Sequence, residues 1–299
     1  MMPDMSPTAS TAARPGDLSL LLPEWQGYGV DATVADAARA LACAFPAGGF
    51  VEVQTPMAEP LAMDKGVLGL GAITRQAQQT LDTITSRQPA RIFTIAGTCG
   101  AELGPVAYLN ARYRGDLAVV WLDAHGDLNT PETSPSGNVH GMPLAAALGL
   151  AGDGFAHEGL ALPAVDPRRV VLLGVRSLDP AERALVRETG IRAITMTEID
   201  RIGIERAVLE AIDRASGSGF VHVSIDLDAL DPEVAPGVGT PVKGGLTYRE
   251  AHLACEDLAE SGLVGSLELV EVNPILDREN GSAAIAVELA ASALGQSIL

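Results

Sequence analysis

The chain of 299 residues has little cysteine, little positive charge and no long apolar run, and each shortage excludes something. Three cysteines, Cys43, Cys99 and Cys255, are too few and too scattered for a disulfide framework, which suits a reducing, cytoplasmic compartment. Lysine and arginine number 20 against 38 aspartates and glutamates, a formal charge of -18, so neither nucleic acid nor an anionic membrane is expected as a partner. A cationic substrate is compatible with that charge. No stretch is long enough to span a bilayer, no segment repeats, and Met1 to Asp17, rich in Pro, Ser, Thr and Ala, lacks a basic region followed by an apolar core. Residues 1–17 are therefore expected to be a disordered tail and 18–299 one domain.

What is present is alternation. Short apolar runs at 18–22, 91–96, 117–122, 170–174, 193–196, 220–225 and 266–271 read as strands. Between them, helical spacing or helix-ending residues predict helices over 33–44, 67–86, 102–113, 142–150, 181–188, 204–215, 247–260 and 282–294, with Thr247 as a cap. His157, in a Gly- and Pro-containing loop, reads as a surface histidine. Strands that look buried on both faces and alternate with helices imply a three-layer αβα sandwich with a central, mostly parallel β-sheet.

Ligands of such sheets sit at the carboxyl ends of the strands. Polar clusters follow directly after strands at Cys99, Asp123, Asp179, Asp226 and Glu271, so they line one edge. In an extended segment Asp123, His125 and Asp127, at i, i+2 and i+4, project toward one point. Taken alone, one Asp-x-His is more often a solvated or capping loop. The device recurs, however, at Asp226 and Asp228 after a second strand, and four aspartates with one histidine on two strand ends suit two divalent cations.

These motifs resemble the arginase family of ureohydrolases from about Leu18 onward. The matching pieces are Asp123-Ala-His-Gly-Asp-Leu-Asn-Thr-Pro131, Ser136-Gly-Asn-Val-His-Gly-Met-Pro143, Ser224-Ile-Asp-Leu-Asp-Ala-Leu-Asp-Pro232, Gly239-Thr-Pro241, Gly244-Gly-Leu-Thr-Tyr-Arg-Glu250 and Glu271-Val-Asn-Pro274. The resemblance implies that Asp123 and Asp226 bridge two metal ions, usually manganese, that Asp127 completes one and that His125 with Asp228 completes the other. A guanidinium carbon is a poor electrophile, and paired cations lower the pKa of bound water from about 15.7 toward about 7. Asp127 would then take a proton, His140 would pass one to the departing amine, and Glu271 would pair with the guanidinium.

The same resemblance assigns Asn129, Ser136 and Asn138 to the α-carboxylate of an amino acid substrate, and Asp179 to its ammonium through water. The expected reaction is L-arginine to L-ornithine and urea. An agmatine-type amine would leave those side chains unmatched. Homotrimers or hexamers built of two trimers are the implied assembly, with Arg249 and Glu250 at positions that pair between subunits.

One departure stands out. Where the family usually has Gly-Gly-Asp-His-Ser, with the His on the first metal, this chain has Gly97-Thr-Cys-Gly-Ala101, so Cys99 stands nearest the place of that His. A thiolate ligand is softer and admits other divalent metals, such as zinc, iron or cobalt. The alternative is a small buried cysteine that leaves that metal one ligand short. An altered first metal would also suit N-hydroxy-L-arginine, with hydroxyurea as product. A non-catalytic arginine-binding homologue and a zinc deacylase are weaker readings, because Asp127, His140, Glu271 and the loops from Thr130 to Pro143 are all retained.

Overall fold

The computed structural model describes residues 16–29, 33–45, 49–54, 61–152, 155 and 165–296. Most of the expected tail, and His157, lie outside the described residues. Asp17 does not belong to the tail, because it opens β1 (Asp17–Leu22) and pairs with Arg91. Along the chain follow α1 (Thr33–Ala44), β2 (Val51–Glu52), β3 (Met63–Asp64), β4 (Val67–Leu68), α2 (Leu70–Arg87), β5 (Arg91–Ala96) and α3 (Leu103–Arg112). Then come β6 (Leu117–Leu122), α4 (Pro143–Ala147), β7 (Val170–Val175), α5 (Pro180–Thr189), β8 (Arg192–Thr195), α6 (Met196–Ile202) and α7 (Ile204–Ala215). β9 (Phe220–Asp226), α8 (Tyr248–Glu260), β10 (Val264–Val270) and α9 (Gly281–Ala293) complete it.

Eight strands form one sheet in the order β2-β1-β5-β10-β9-β6-β7-β8, and the pairs are parallel. The alternation of β6 shows why the sheet is covered on both faces. Leu117, Val119 and Trp121 pack into a core with Ile84 of α2 and Val106 and Leu109 of α3. Ala118, Val120 and Leu122 face the opposite way, into a core with Leu41 of α1, Val208 of α7, Leu258 of α8 and Leu289 of α9. Each fully buried Leu, Val or Ile contributes about 1.5–3 kcal/mol, more than the roughly 1 kcal/mol span of β propensities, so burial fixes these strands. The result is the three-layer αβα sandwich.

The departures are local. Val67 and Leu68, expected to be helical, pair with β3 instead, because Gly69 takes a left-handed φ of 71° and starts α2 only after them. The 142–150 helix shortens to α4, with Pro143 at its first turn. α6 went unforeseen because β8 runs straight into it, with Thr195 accepting a hydrogen bond from Glu198 N as its cap. Thr247 does cap α8, in a reciprocal box with Glu250. No helix among the described residues is long and apolar enough to cross a membrane.

Candidate active site

Four adjacent central strands deliver the site. Leu122 pairs with Ile225 and Val270 with Asp226, so Asp123, Asp226 and Glu271 leave β6, β9 and β10 at nearly one level. On the other side of β10, β5 ends in a 3-10 turn, Cys99–Glu102, whose cap Thr98 accepts from Gly100 N at 3.2 Å. A side chain at Gly97 would overlap the Glu24 carbonyl oxygen, so only glycine lets the turn lie against the end of β1.

Two donor sets meet there, each within 4.8 Å: Cys99, Asp123 and Asp226 in one, Asp123, His125 and Asp228 in the other. Cys99 Sγ lies 3.2 Å from Asp226 Oδ2, and its backbone N–H donates to Glu271 Oε1 at 3.3 Å. His125 Nδ1 is 3.3 Å from Asp123 Oδ1 and 3.0 Å from Asp228 Oδ2. The carboxylates are held from behind. Trp121 Nε1 donates to Asp123 Oδ2 at 2.9 Å, Asp228 N to Asp226 Oδ1 at 2.7 Å, and Ala124 N and Thr240 Oγ1 to Asp228 at 3.1 and 2.9 Å.

Asp127 departs from the spacing argument. Its φ is 51°, so the segment is not extended there, and Asp127 belongs to neither donor set. It is buried beside them, its Oδ2 without a hydrogen-bond partner among the described residues. Glu271, at φ 62°, is the other site carboxylate in the left-handed region, where strain clusters at functional positions.

Burial, and then mutual repulsion, raises the carboxyl pKa values of Asp123, Asp127, Asp226 and Glu271. Burial and the four neighbouring carboxylates push the Cys99 thiol well up. Burial works against protonation of His125, but hydrogen bonds to Asp123 and Asp228 outweigh it and lift it to about 11. A pocket that holds so much negative charge at such cost gains by taking a cation, and its hard oxygens, one imidazole and one thiol fit a pair of divalent ions. His140 differs, since burial and then the charge of His125 lower it to about 4.

The residues assigned to the substrate's amino acid end are already engaged. Asn129 Nδ2 donates to Asp179 Oδ2 at 3.0 Å and its Oδ1 accepts from Thr133 Oγ1 at 3.0 Å. Ser136, exposed, accepts from Asn138 N at 3.1 Å, while Asn138 Nδ2 donates to Tyr28 O at 3.1 Å. Asp179 is the N-cap of α5, boxed with Glu182.

Sequence reasoning missed three residues that shape the site. Glu24, fully buried after β1, accepts from Gly27 N at 2.6 Å and from the Thr98 hydroxyl, and burial raises its carboxyl to about 7 against both bonds. The rule that found Asp123, a polar residue just after a strand, also points to Glu24. Arg176 donates to the carbonyls of Gly174, Asp228, Ala229, Leu230 and Val242, and so pins the loop that carries Asp228. Glu182 accepts from Leu128 N at 3.0 Å, beside Asp127.

A family model described as the Arginase family matches residues 36–295. The chain belongs to the Arginase family. Membership makes it an enzyme of the ureohydrolase class. It is 53% identical over 190 residues to the arginase of Bacillus subtilis (strain 168), 63% of this chain and 64% of that protein, so the match spans a little under two thirds of that relative's length. Over 209 residues it is 51% identical to the arginase of Bacillus caldovelox, 69% of each chain. A solved structure of that arginase superposes with a TM-score of 0.83 and 38% identity, over 95% of this chain and 98% of the other. Within an Arginase-family fold, Cys99 remains the departure from the usual motif.

Proposed function

We propose that the chain hydrolyses L-arginine to L-ornithine and urea at a centre of two divalent cations, manganese first among them. The observation that carries this reading is the pair of donor sets sharing Asp123 directly beside Glu271. Asp123 and Asp226 would serve both ions, Cys99 and Asp127 one, His125 and Asp228 the other. When bound, the ions supply the Lewis acidity that turns water into a nucleophile at neutral pH.

The chain's own residues do the rest. Glu271 accepts from guanidinium N–H groups and fixes the plane that water attacks. Asp127, with one free buried oxygen, takes the proton of the attacking water. His140 is neutral at pH 7 and stores no proton, so it must receive one before passing it to the nitrogen that leaves as ornithine's amine. The carbon–nitrogen bond to that amine breaks, and urea remains. Asn129, Ser136 and Asn138 bind the α-carboxylate by exchanging their present partners, and Asp179 receives the ammonium through water.

The relatives favour arginine over N-hydroxyarginine, whose motive is Cys99 alone. The assembly proposed is a trimer or a hexamer of two trimers, in the cytoplasm, with a small guanidino amino acid as ligand. The test is a metal analysis joined to a substrate panel of arginine, N-hydroxyarginine, agmatine and guanidinobutyrate, following urea and hydroxyurea. Arginine should give the highest kcat/KM, and activity should vanish on chelation and return with divalent metal. Cys99→Ser should lower metal occupancy, and Cys99→His should move preference toward manganese. Full activity after exhaustive chelation, with metal absence confirmed, would overturn the reading.

A further inference from the structure

Behind the active edge, the face covered by α2 and α3 carries a polar stripe in an otherwise apolar layer. The register sets Ser266 beside His222, and Glu268 beside both Ser224 and Thr94. Glu102, last residue of the turn after β5, closes over them. Thr94, His222 and Glu268 are 0% exposed and Glu102 1%. None of the four lies in the motifs that carry the family resemblance.

One donor atom each of Glu102, His222 and Glu268 lies within 4.8 Å of the others. Ser266 Oγ, 2.8 Å from His222 Nδ1, sets the ring so that Nε2 faces Glu102 Oε1. That contact lacks hydrogen-bond geometry. His222 Nε2, both oxygens of Glu102, both of Glu268 and Thr94 Oγ1 have no hydrogen-bond partner among the described residues. Buried carboxylates that accept nothing are among the costliest groups in a core. One protonated imidazole balances a single carboxylate, whereas a divalent cation balances two and leaves the imidazole neutral as a ligand.

We propose that Glu102, His222 and Glu268 form a further, structural site for a divalent first-row cation, separate from the catalytic centre. Two carboxylates and one imidazole suit zinc, manganese or ferrous iron, and Thr94 Oγ1 or a water completes the shell. Ser266 is the outer partner that orients the imidazole. Glu268 lies on β10 three residues before Glu271, which follows the strand's end, and His222 lies four residues before Asp226 on β9. At roughly 3.3 Å per residue this places the site about 10–13 Å from the catalytic donors. The bound ion ties the turn that leads into α3 to β9 and β10, close to where the same turn presents Cys99.

The experiment uses the full chain with Asp123→Asn and Asp226→Asn, which weakens the catalytic centre. After equilibration with Mn²⁺ or Zn²⁺ and gel filtration, elemental analysis should find about one equivalent per chain, and Tm should rise on adding the ion. Adding Glu268→Gln should remove both effects. Anomalous scattering from wild-type crystals soaked in Mn²⁺ should place a peak between the three side chains, which keeps the test intact should Glu268→Gln fail to fold. No retained cation and no such peak, or a retained equivalent indifferent to Glu268→Gln, would overturn the proposal.

Discussion

The metal-donor cluster and the loop from Asn129 to Asn138 lie at the same edge of the sheet but are held differently. In the cluster, Asp123, Asp226 and Asp228 are almost wholly buried, and backbone or indole N–H groups aim at their oxygens. Those bonds fix carboxylates where charge is needed before any ligand arrives. In the loop, Ser136 is exposed, and Asn129 and Asn138 satisfy other parts of the protein. Recognition there must displace existing bonds, so it yields less free energy per contact. On the proposed reading the edge is held fixed where it would activate water and exchangeable where it would select the substrate.

The sharpest test of that contrast is Asp226→Ala. It removes a carboxylate that touches Cys99 and supports Asp228 N, and arginine turnover should fall at least about 10³-fold, beyond the 10–100-fold that loss of an outer partner costs. Steady-state urea release with metal content measured in parallel checks it. Retained turnover would mean that the cluster is not the reaction centre.

Glu24→Gln probes the support behind Cys99. Folding raises the Glu24 carboxyl from 4.5 to about 7, so the folded chain holds the proton more tightly between those values. Stability from this group is greatest below about pH 4.5, declines as pH rises to about 7 and is level above. The variant lacks that decline, so relative to the parent it should gain about 2.5 kcal/mol between about pH 5 and pH 8. Urea denaturation at both pH values, with metal loading held constant, reads the difference. A parallel pH dependence in parent and variant would show that Glu24 does not titrate there. Trp121→Phe should come next, with metal affinity 10–100-fold weaker through loss of the indole bond to Asp123 and little change in fold. Competition with a metal indicator measures it.

The contrast also explains what the sequence could and could not reveal. β6 and β7 are apolar runs and β9 alternates apolar with polar residues, all three buried at every position, and the donors that end β6 and β9 repeat a two-residue spacing, so strands and cluster were both legible. The convergence of Asp127 did not follow from spacing alone, because spacing presumes extended backbone and a left-handed residue breaks the alternation. The place of Glu24 just after a strand was legible, but the partners through which Glu24 and Arg176 act lie 74 and up to 66 residues away, and no local pattern names those partners. The β3–β4 hairpin and α6 are short elements whose form depends on what they pack against.

The smallest effect belongs to the exchangeable loop, at Asn129→Ala. Asn129 already spends one N–H on Asp179 and its oxygen on Thr133, so only part of its capacity is left for a substrate carboxylate. A full unmet buried hydrogen bond costs about 1–3 kcal/mol, and a shared one falls at the low end, so kcat/KM for arginine should drop about 5–10-fold. Agmatine, which has no carboxylate, never uses the contact, and its kcat/KM should stay nearly unchanged. The gap between the two substrates should therefore narrow by the same factor, through loss on the arginine side alone. Measuring both substrates on parent and variant at fixed metal decides it. Equal losses for both would mean that Asn129 shapes the loop through Asp179 and Thr133 without touching the carboxylate, and selection for the amino acid would then have to rest on Ser136 and Asn138.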